Sequence, residues 1–228
     1  MTEWTAVVPV KRFALAKQRL LLPDRVRADL AQAFARDVLH VVSETFGIRH
    51  IVLVSSERSM ARAGQRCGAH VLSDPVGRGP DGLNLAIARG VEWAERHHPD
   101  DAVVVVPADL PCLTAEALAD VLSAAEPHDR AIVTDSQKTG TALLLARDAA
   151  TMTPSFGTDS AVRHRQLGHR DLEPAPRVVR RDVDTLEHLA EAVDLGVGGY
   201  TFSALWRHRM IPLGSASPGA RLLDRVTS

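Results

Sequence analysis

The sequence predicts an α/β fold, a single domain in which a mainly parallel sheet is sandwiched by helices. Three observations carry that expectation. Short apolar runs rich in β-branched residues recur along the chain. Longer segments with apolar residues at steps of three and four lie between them. The two patterns alternate, as helical crossovers between parallel strands require. A chain of 228 residues, 45% hydrophobic and 24% charged, has the balance of an ordinary globular domain and buries roughly 70% of its unfolded surface without a staple. Aromatics are only 4%, so the core rests on Val, Leu, Ile and Ala.

Taken in order, Trp4–Val10 (WTAVVPV) reads as a buried strand. A helix follows over Asp24–Phe46, with Val26, Leu30, Ala33, Phe34, Val38, Val41, Val42 and Phe46 on one stripe. His50–Ser55, His70–Ser73 and Ala102–Pro107 (AVVVVP) are the next strands, separated by helices over Glu57–Cys67 and Leu83–Arg96. Beyond a helix at Thr114–Ala125, strands fit Ala131–Thr134 and Thr141–Ala146 (TALLLA), and a further one fits Val178–Val183. Helices over Ser160–Leu167 and Thr185–Leu195 complete the pattern. From Gly196 it fails: GVGGYTFS is glycine-rich and SASPGARLLDRVTS reads as a tail, so residues 1–195 form the domain and 196–228 a weakly ordered C-terminal extension.

Composition also excludes. With 27 Lys+Arg against 28 Asp+Glu the net charge is −1, which lacks the basic excess of a nucleic-acid binder. No run of 18 apolar residues exists, so no membrane span is expected, and the start MTEWTAVVPVKR lacks signal-peptide order. Cys67 and Cys112 match no zinc spacing and read as reduced thiols. These features fit a cytoplasmic protein.

Open α/β sheets bind ligands beyond the carboxyl ends of their strands, so the loops there are where chemistry is expected. VPVKRFALAKQRL gathers Lys11, Arg12, Lys17 and Arg19 after the first strand, enough cations to hold a polyphosphate or simply to form a solvated basic loop; the P-loop pattern is absent. In VVVVPADLPCL, Asp109 follows a buried strand, where a carboxylate either holds Mg²⁺ or shapes the turn before Pro111. Asp182 and Asp184 in RRDVDTLEHL project to one side if extended, and such a pair repels unless a cation intervenes. Asp184 also fits an N-cap with Glu187 three later, and Arg180 or Arg181 could neutralise the pair without metal.

GRGPDGLNLAIARG holds Gly77, Gly79 and Gly82 in a formal G-x-G-x-x-G, but after the third strand and stiffened by Pro80, so a dinucleotide site is discounted. The loop still suits close approach to a nucleotide, with the Asn84 amide facing a base edge or solvent. TPSFGTDSAVRHR places Gly157 before a helix start at Ser160, where backbone N–H groups and hydroxyls bind anions or are merely capped. No histidine stands in a recognisable catalytic order, so none is assigned a role.

Together VPVKRFALAKQRL, DGLNLAI, VVPADLPCL, the T-G-T-A-L-L run, SFGTDS and RRDVDTLEHL, in this order, resemble the guanylyltransferases of coenzyme F-420 biosynthesis, over about Trp4 to Leu195. The resemblance implies a nucleotide-diphospho-sugar transferase (Rossmann-like) fold and transfer of a guanylyl group from GTP to a phosphorylated three-carbon acid. That acid is phosphoenolpyruvate in actinobacterial members and 2-phospho-L-lactate in archaeal ones. The Ala/Arg/Val-rich composition favours phosphoenolpyruvate. Carried over, the metal carboxylates fall on Asp109, Asp182 and Asp184, with Mg²⁺ as the ion, and the phosphoenolpyruvate contacts on Thr141, Gly157 and Ser160. The basic loop departs from the G-G-x-G form of the wider fold, leaving Lys17 and Arg19, with Lys11, as candidate phosphate holders by charge; Gly82 and Asn84 would border guanine. Asp109 and Lys17 are the expected catalytic pair. The resemblance is compatible with a homodimer and with hand-off of the product to the next enzyme. Two other readings stand beside it, a molybdenum-cofactor type of guanylyltransferase and a non-catalytic GTP-binding regulator.

Overall fold

In the structure, a computed structural model that describes residues 2–15, 17–74 and 81–211, seven strands form one sheet. They are β1 (Trp4–Val10), β2 (Ile48–Ser55), β3 (His70–Leu72), β4 (Ala102–Val105), β5 (Arg130–Thr134), β6 (Thr141–Ala146) and β7 (Arg170–Asp171), in the order β3-β2-β1-β4-β6-β5-β7. All pairings are parallel except those of β6, which runs against both β4 and β5. This one reversal matters for the site. It delivers the first residue of β6, Thr141, to the edge where the other strands have their carboxyl ends.

Alternate side chains of each strand feed opposite layers. From β1, Ala6, Val8 and Val10 join the helices α1 (Asp24–Glu44), α2 (Arg58–Arg66) and α4 (Ala115–Ala125) on one face. Val7, with Val103 and Val105 of β4, joins α3 (Gly82–His97) and α5 (Ser160–Gln166) on the other. Gly90 lets α3 lie against the sheet, because a Cβ there would stand 2.5 Å from Val7. Strand and helix bounds agree with the sequence to within a few residues over most of the chain, and Phe46, expected on the α1 stripe, lies past the helix end, 71% exposed.

Two expectations are corrected. Val178–Val183 is not a strand: Pro176 precedes a four-residue helix, α6 (Arg177–Arg180), and the sheet edge beside β5 is filled by β7 instead. The chain beyond Gly196 is not uniformly weakly ordered. Residues Gly199–Arg207 form α8, which packs with α7 (Leu186–Leu195) on the amino-terminal half of α1. Asp37 of α1 accepts hydrogen bonds from the backbone N–H groups of Tyr200 (2.9 Å) and Thr201 (2.8 Å), so a carboxylate from another helix satisfies the orphan donors at the start of α8. Residues 212–228 lie outside the described residues. Cys67 and Cys112 are free thiols, and burial pushes Cys112 up to about 12. No helix among the described residues is long and apolar enough to cross a membrane.

Candidate active site

After β1 the chain makes two 3-10 turns, Phe13–Leu15 and Gln18–Leu20, with buried Leu20 pinning the second into the core under α1. Lys17 sits between them in the left-handed region at φ 56, ψ 37, a conformation costing a non-glycine residue on the order of 1 kcal/mol. Its Nζ donates to Asp109 Oδ2 at 2.8 Å and Asp184 Oδ1 at 2.9 Å. Burial alone would push the amine down; Asp109 and Asp184 outweigh it and hold Lys17 above its ordinary value.

Asp109 lies in the turn after β4, and its carbonyl accepts from Val183 N–H at 3.1 Å. With Val183 fully buried, that bond sets Asp182 and Asp184 on either side of it at the same strand edge. Thr185, rather than Asp184, caps α7, its hydroxyl accepting from His188 N–H at 3.2 Å, which leaves the Asp184 carboxylate for Lys17. Burial, then the charges of Asp109 and Asp184, push Asp182 up to about 7. Burial works the same way on Asp184, but Lys17 overcomes it and holds that carboxyl low. Arg180 and Arg181 do not neutralise this cluster: Arg180 bonds Glu173, Thr134 and the Asp135 carbonyl, and Arg181 pairs with Glu191 at 2.6 Å.

Two crevices meet at these carboxylates, sharing Leu83, Pro107, Asp109 and Asp184. The first, about 270 Å³, is mainly apolar (Val10, Phe13, Phe34) with Lys11 and Lys17 at its charged end. The second, about 640 Å³, is lined by Arg19, Asp182, Thr141, Gly157, Ser160 and His188, among others. The structure therefore brings Lys17, Asp109, Asp182 and Asp184 together, with Lys11 on one side and Arg19, Thr141, Gly157 and Ser160 on the other. Gly82 opens α3, while Gly77 and Gly79 lie outside the described residues.

Asn84 is a correction. Its Oδ1 accepts from Phe156 N–H at 2.7 Å and its Nδ2 donates to the Phe156 carbonyl at 3.1 Å, so the amide braces the loop before α5 instead of facing a base. At the helix start by Ser160, the alternative of donors used within the chain holds for the first four N–H groups. The N–H of Ser160 bonds Gly157 O, that of Ala161 bonds Thr139 O, and those of Val162 and Arg163 bond Asp159 O. These donors are thus satisfied within the chain. Ser160, 2% exposed, points its hydroxyl at Thr141 Oγ1 (3.1 Å), and both residues border the crevice.

Sequence reasoning missed Asp135, His164 and His188. The Asp135 carboxylate accepts from Thr139 and Gly140 N–H in the turn that leads β5 into β6. His164 stands one helical turn after Ser160, the only signal available, and bonds Thr141 Oγ1 at 2.9 Å.

The donor set suits a hard divalent cation: three carboxylates, with oxygens of two already converging on the single cationic nitrogen of Lys17. Among the described residues the one grouping of three whose ligand atoms all lie within 4.8 Å of one another is instead His50, His98 and Asp101, at the opposite edge of the sheet; the three aspartates, spaced around Lys17, are not drawn that close. There the imidazoles stack with centroids 3.5 Å apart and planes 10° apart, so their in-plane lone pairs cannot meet at one ion, and Asp101 Oδ2 takes bonds from Thr5 and His50.

This fold is that of the nucleotide-diphospho-sugar transferases. It is similar to a putative nucleotide-diphospho-sugar transferase from Desulfovibrio desulfuricans (TM-score 0.60, 17% identity, 100% of this chain and 96% of that one). It is also similar to a 4-diphosphocytidyl-2C-methyl-D-erythritol synthase from Anaerococcus prevotii (TM-score 0.57, 13% identity, 84% and 94%). The family model described as "Guanylyl transferase CofC like" matches residues 4–206, and the chain belongs to that family. Similar relatives include the phosphoenolpyruvate guanylyltransferases of Streptomyces scabiei (40% identical, covering 90% of this chain and 97% of the relative) and Nocardia farcinica (39%, 88% and 89%).

Proposed function

We propose that the protein transfers GMP from GTP to phosphoenolpyruvate, releasing pyrophosphate and forming enolpyruvoyl-2-diphospho-5'-guanosine for coenzyme F-420 biosynthesis. One observation carries the reading beyond family membership: Lys17 and three aspartates stand where two crevices meet, as a transfer between two anionic substrates needs. GTP is assigned to the first crevice, whose apolar walls suit a nucleoside and whose Lys11 and Lys17 suit phosphates. The acceptor is assigned to the second, beside Thr141 and Arg19.

An oxygen of the acceptor phosphate attacks the α-phosphorus of GTP in line. A P–O bond forms there, the bond to the bridging oxygen breaks, and pyrophosphate leaves with the electron pair. The phosphate already carries its nucleophilic oxygen, so no side chain has to remove a proton. Asp109, Asp182 and Asp184 would hold Mg²⁺, which when bound supplies positive charge to phosphate oxygens of both substrates. Lys17 adds a fixed cation at the same point, and Arg19 draws the acceptor anion into the second crevice. The product would pass to an enzyme that consumes it.

The test is pyrophosphate release with GTP and a panel of acceptors. Phosphoenolpyruvate should support turnover, 2-phospho-L-lactate less well, and chelation of Mg²⁺ should stop it. Asp109→Asn should lower turnover by at least about a thousandfold while the variant stays folded by circular dichroism. GTP binding without pyrophosphate release from any acceptor would overturn the reading in favour of a regulator.

A further inference from the structure

We propose that His164 is a positioning residue for the acceptor: its Nδ1–H, donated to Thr141 Oγ1, fixes the Thr141 hydroxyl as a hydrogen-bond donor to an anionic group in the second crevice. The inference rests on the acceptor's assignment to that crevice.

The proton count follows from one bond that can run only one way. The backbone N–H of Ser155 points at His164 Nε2 at 3.0 Å, and an amide N–H can only donate. Nε2 is therefore the lone-pair nitrogen of a neutral ring, and the ring proton sits on Nδ1. Nδ1 lies 2.9 Å from Thr141 Oγ1, so it donates there. Ser160 Oγ, 3.1 Å away, donates to the same oxygen. With both lone pairs of Thr141 occupied, its own hydrogen is left for the crevice that Thr141 lines. A phosphate or carboxylate oxygen, which only accepts, is the partner this polarity selects.

The surroundings keep the ring in that state. His164 is fully buried, and burial, with His169 and Arg163 nearby, pushes its pKa down to about 4. Its partner loop is held independently: Arg163 donates to Ser155 O and Oγ, and Asn84 grips Phe156. Since the helix-start N–H groups of α5 are already bonded to carbonyls, the anion depends on this hydroxyl more than an ordinary helix start would imply.

Two substitutions split the ring's two bonds. His164→Asn can place an amide N–H where Nδ1 donates, and His164→Gln can place an amide oxygen where Nε2 accepts. His164→Gln should raise the KM for phosphoenolpyruvate about ten- to a hundredfold, changing kcat and the KM for GTP less than threefold, because one buried bond to a charged group is disrupted. His164→Asn should restore most of that loss. The opposite order, or equal losses for both substrates, overturns the proposal and leaves His164 a brace for Ser155. In a Thr141→Val background His164→Gln should add nothing further; additive effects also overturn it. ¹⁵N-histidine NMR of the unaltered protein needs no variant: an Nδ1-protonated neutral ring that persists at pH 5.5 supports the assignment, and an Nε2-protonated one overturns it. Phosphoenolpyruvate binding is read separately by calorimetry. Binding in the same variant order without turnover sinks the proposed function alone, whereas no binding by the unaltered protein overturns both.

Discussion

Lys17 shows how a single side chain can stand in for an ion. Its ammonium lies between Asp109 and Asp184, and it holds two carboxylates that would otherwise repel. Replacing it with Met should make the metal-free protein less stable by about 1–2 kcal/mol, below the 3–5 kcal/mol of a fully buried pair because both carboxylates are about a third or more exposed. Added Mg²⁺ should recover more stability in Lys17→Met than in the unaltered protein, while turnover falls. Melting curves with and without Mg²⁺ in the absence of GTP decide it; equal Mg²⁺ shifts in both proteins would show that lysine and ion do not share a place. Asp109 was legible in the sequence because it follows a buried run that must end at the sheet edge; Asp182 and Asp184 were legible by their spacing of two, although the segment before them is a short helix and not a strand. Asn84 was misread because its partner, Phe156, is 72 residues away. Its correction has a consequence: Asn84→Ala should raise the KM for phosphoenolpyruvate about tenfold and leave the preference for GTP over ATP intact. A collapse of that preference would return Asn84 to the base.

At the scale of elements, the strands and long helices were legible from hydrophobic period alone, since one buried face dictates it. The direction of β6 and the elements β7, α6 and α8 were not. β6 reads as an ordinary strand, and its reversal shows only once its neighbours are known. α6 is too short for a period. α8 was hidden by its glycines, and its start is stabilised not by a local capping residue but by Asp37 of α1, more than 160 residues earlier. Near Gly198 the fit is close, with a Cβ there 2.3 Å from the Asp37 carboxyl carbon. Asp37→Ala leaves two N–H groups without their acceptor and should cost about 2–4 kcal/mol, taking 1–2 for each disrupted charge-assisted bond. Asp37→Asn keeps one acceptor and should lose less. Urea denaturation of the two variants orders them, and an Asp37→Ala protein as stable as the parent would mean that α8 docks without this tie. Loss of α8 would also uncover Phe34, Leu30 and Leu189, which form one cluster with Ala204 and Leu205.

The whole molecule carries these local states as a dependence of stability on pH. Burial pushes His164 down to about 4, and His169 and His98 are held below their ordinary value for the same first reason. The unfolded chain protonates such histidines near 6.5, and the folded one resists, so below that pH the unfolded state binds more protons and stability falls with acid. For His164 the loss begins near pH 6.5, is complete near pH 4, and amounts to about 3 kcal/mol, with nothing lost at pH 7. Asp184, held low by Lys17, adds a loss of the same sign at lower pH. Asp182, pushed up to about 7, and Asp37, raised by burial, act oppositely, since the folded state gains their protons first. The net slope therefore mixes signs, and a single residue has to be removed to read one contribution. In metal-free buffer, His164→Gln should be less stable than the parent at pH 7, having lost its bond to Thr141. The deficit should shrink as the pH is lowered from 6.5 to 4.5, because the parent alone has this buried ring to keep unprotonated. Denaturation midpoints at four pH values measure the deficit, and one that stays constant over that range would mean that His164 takes up its proton while still folded.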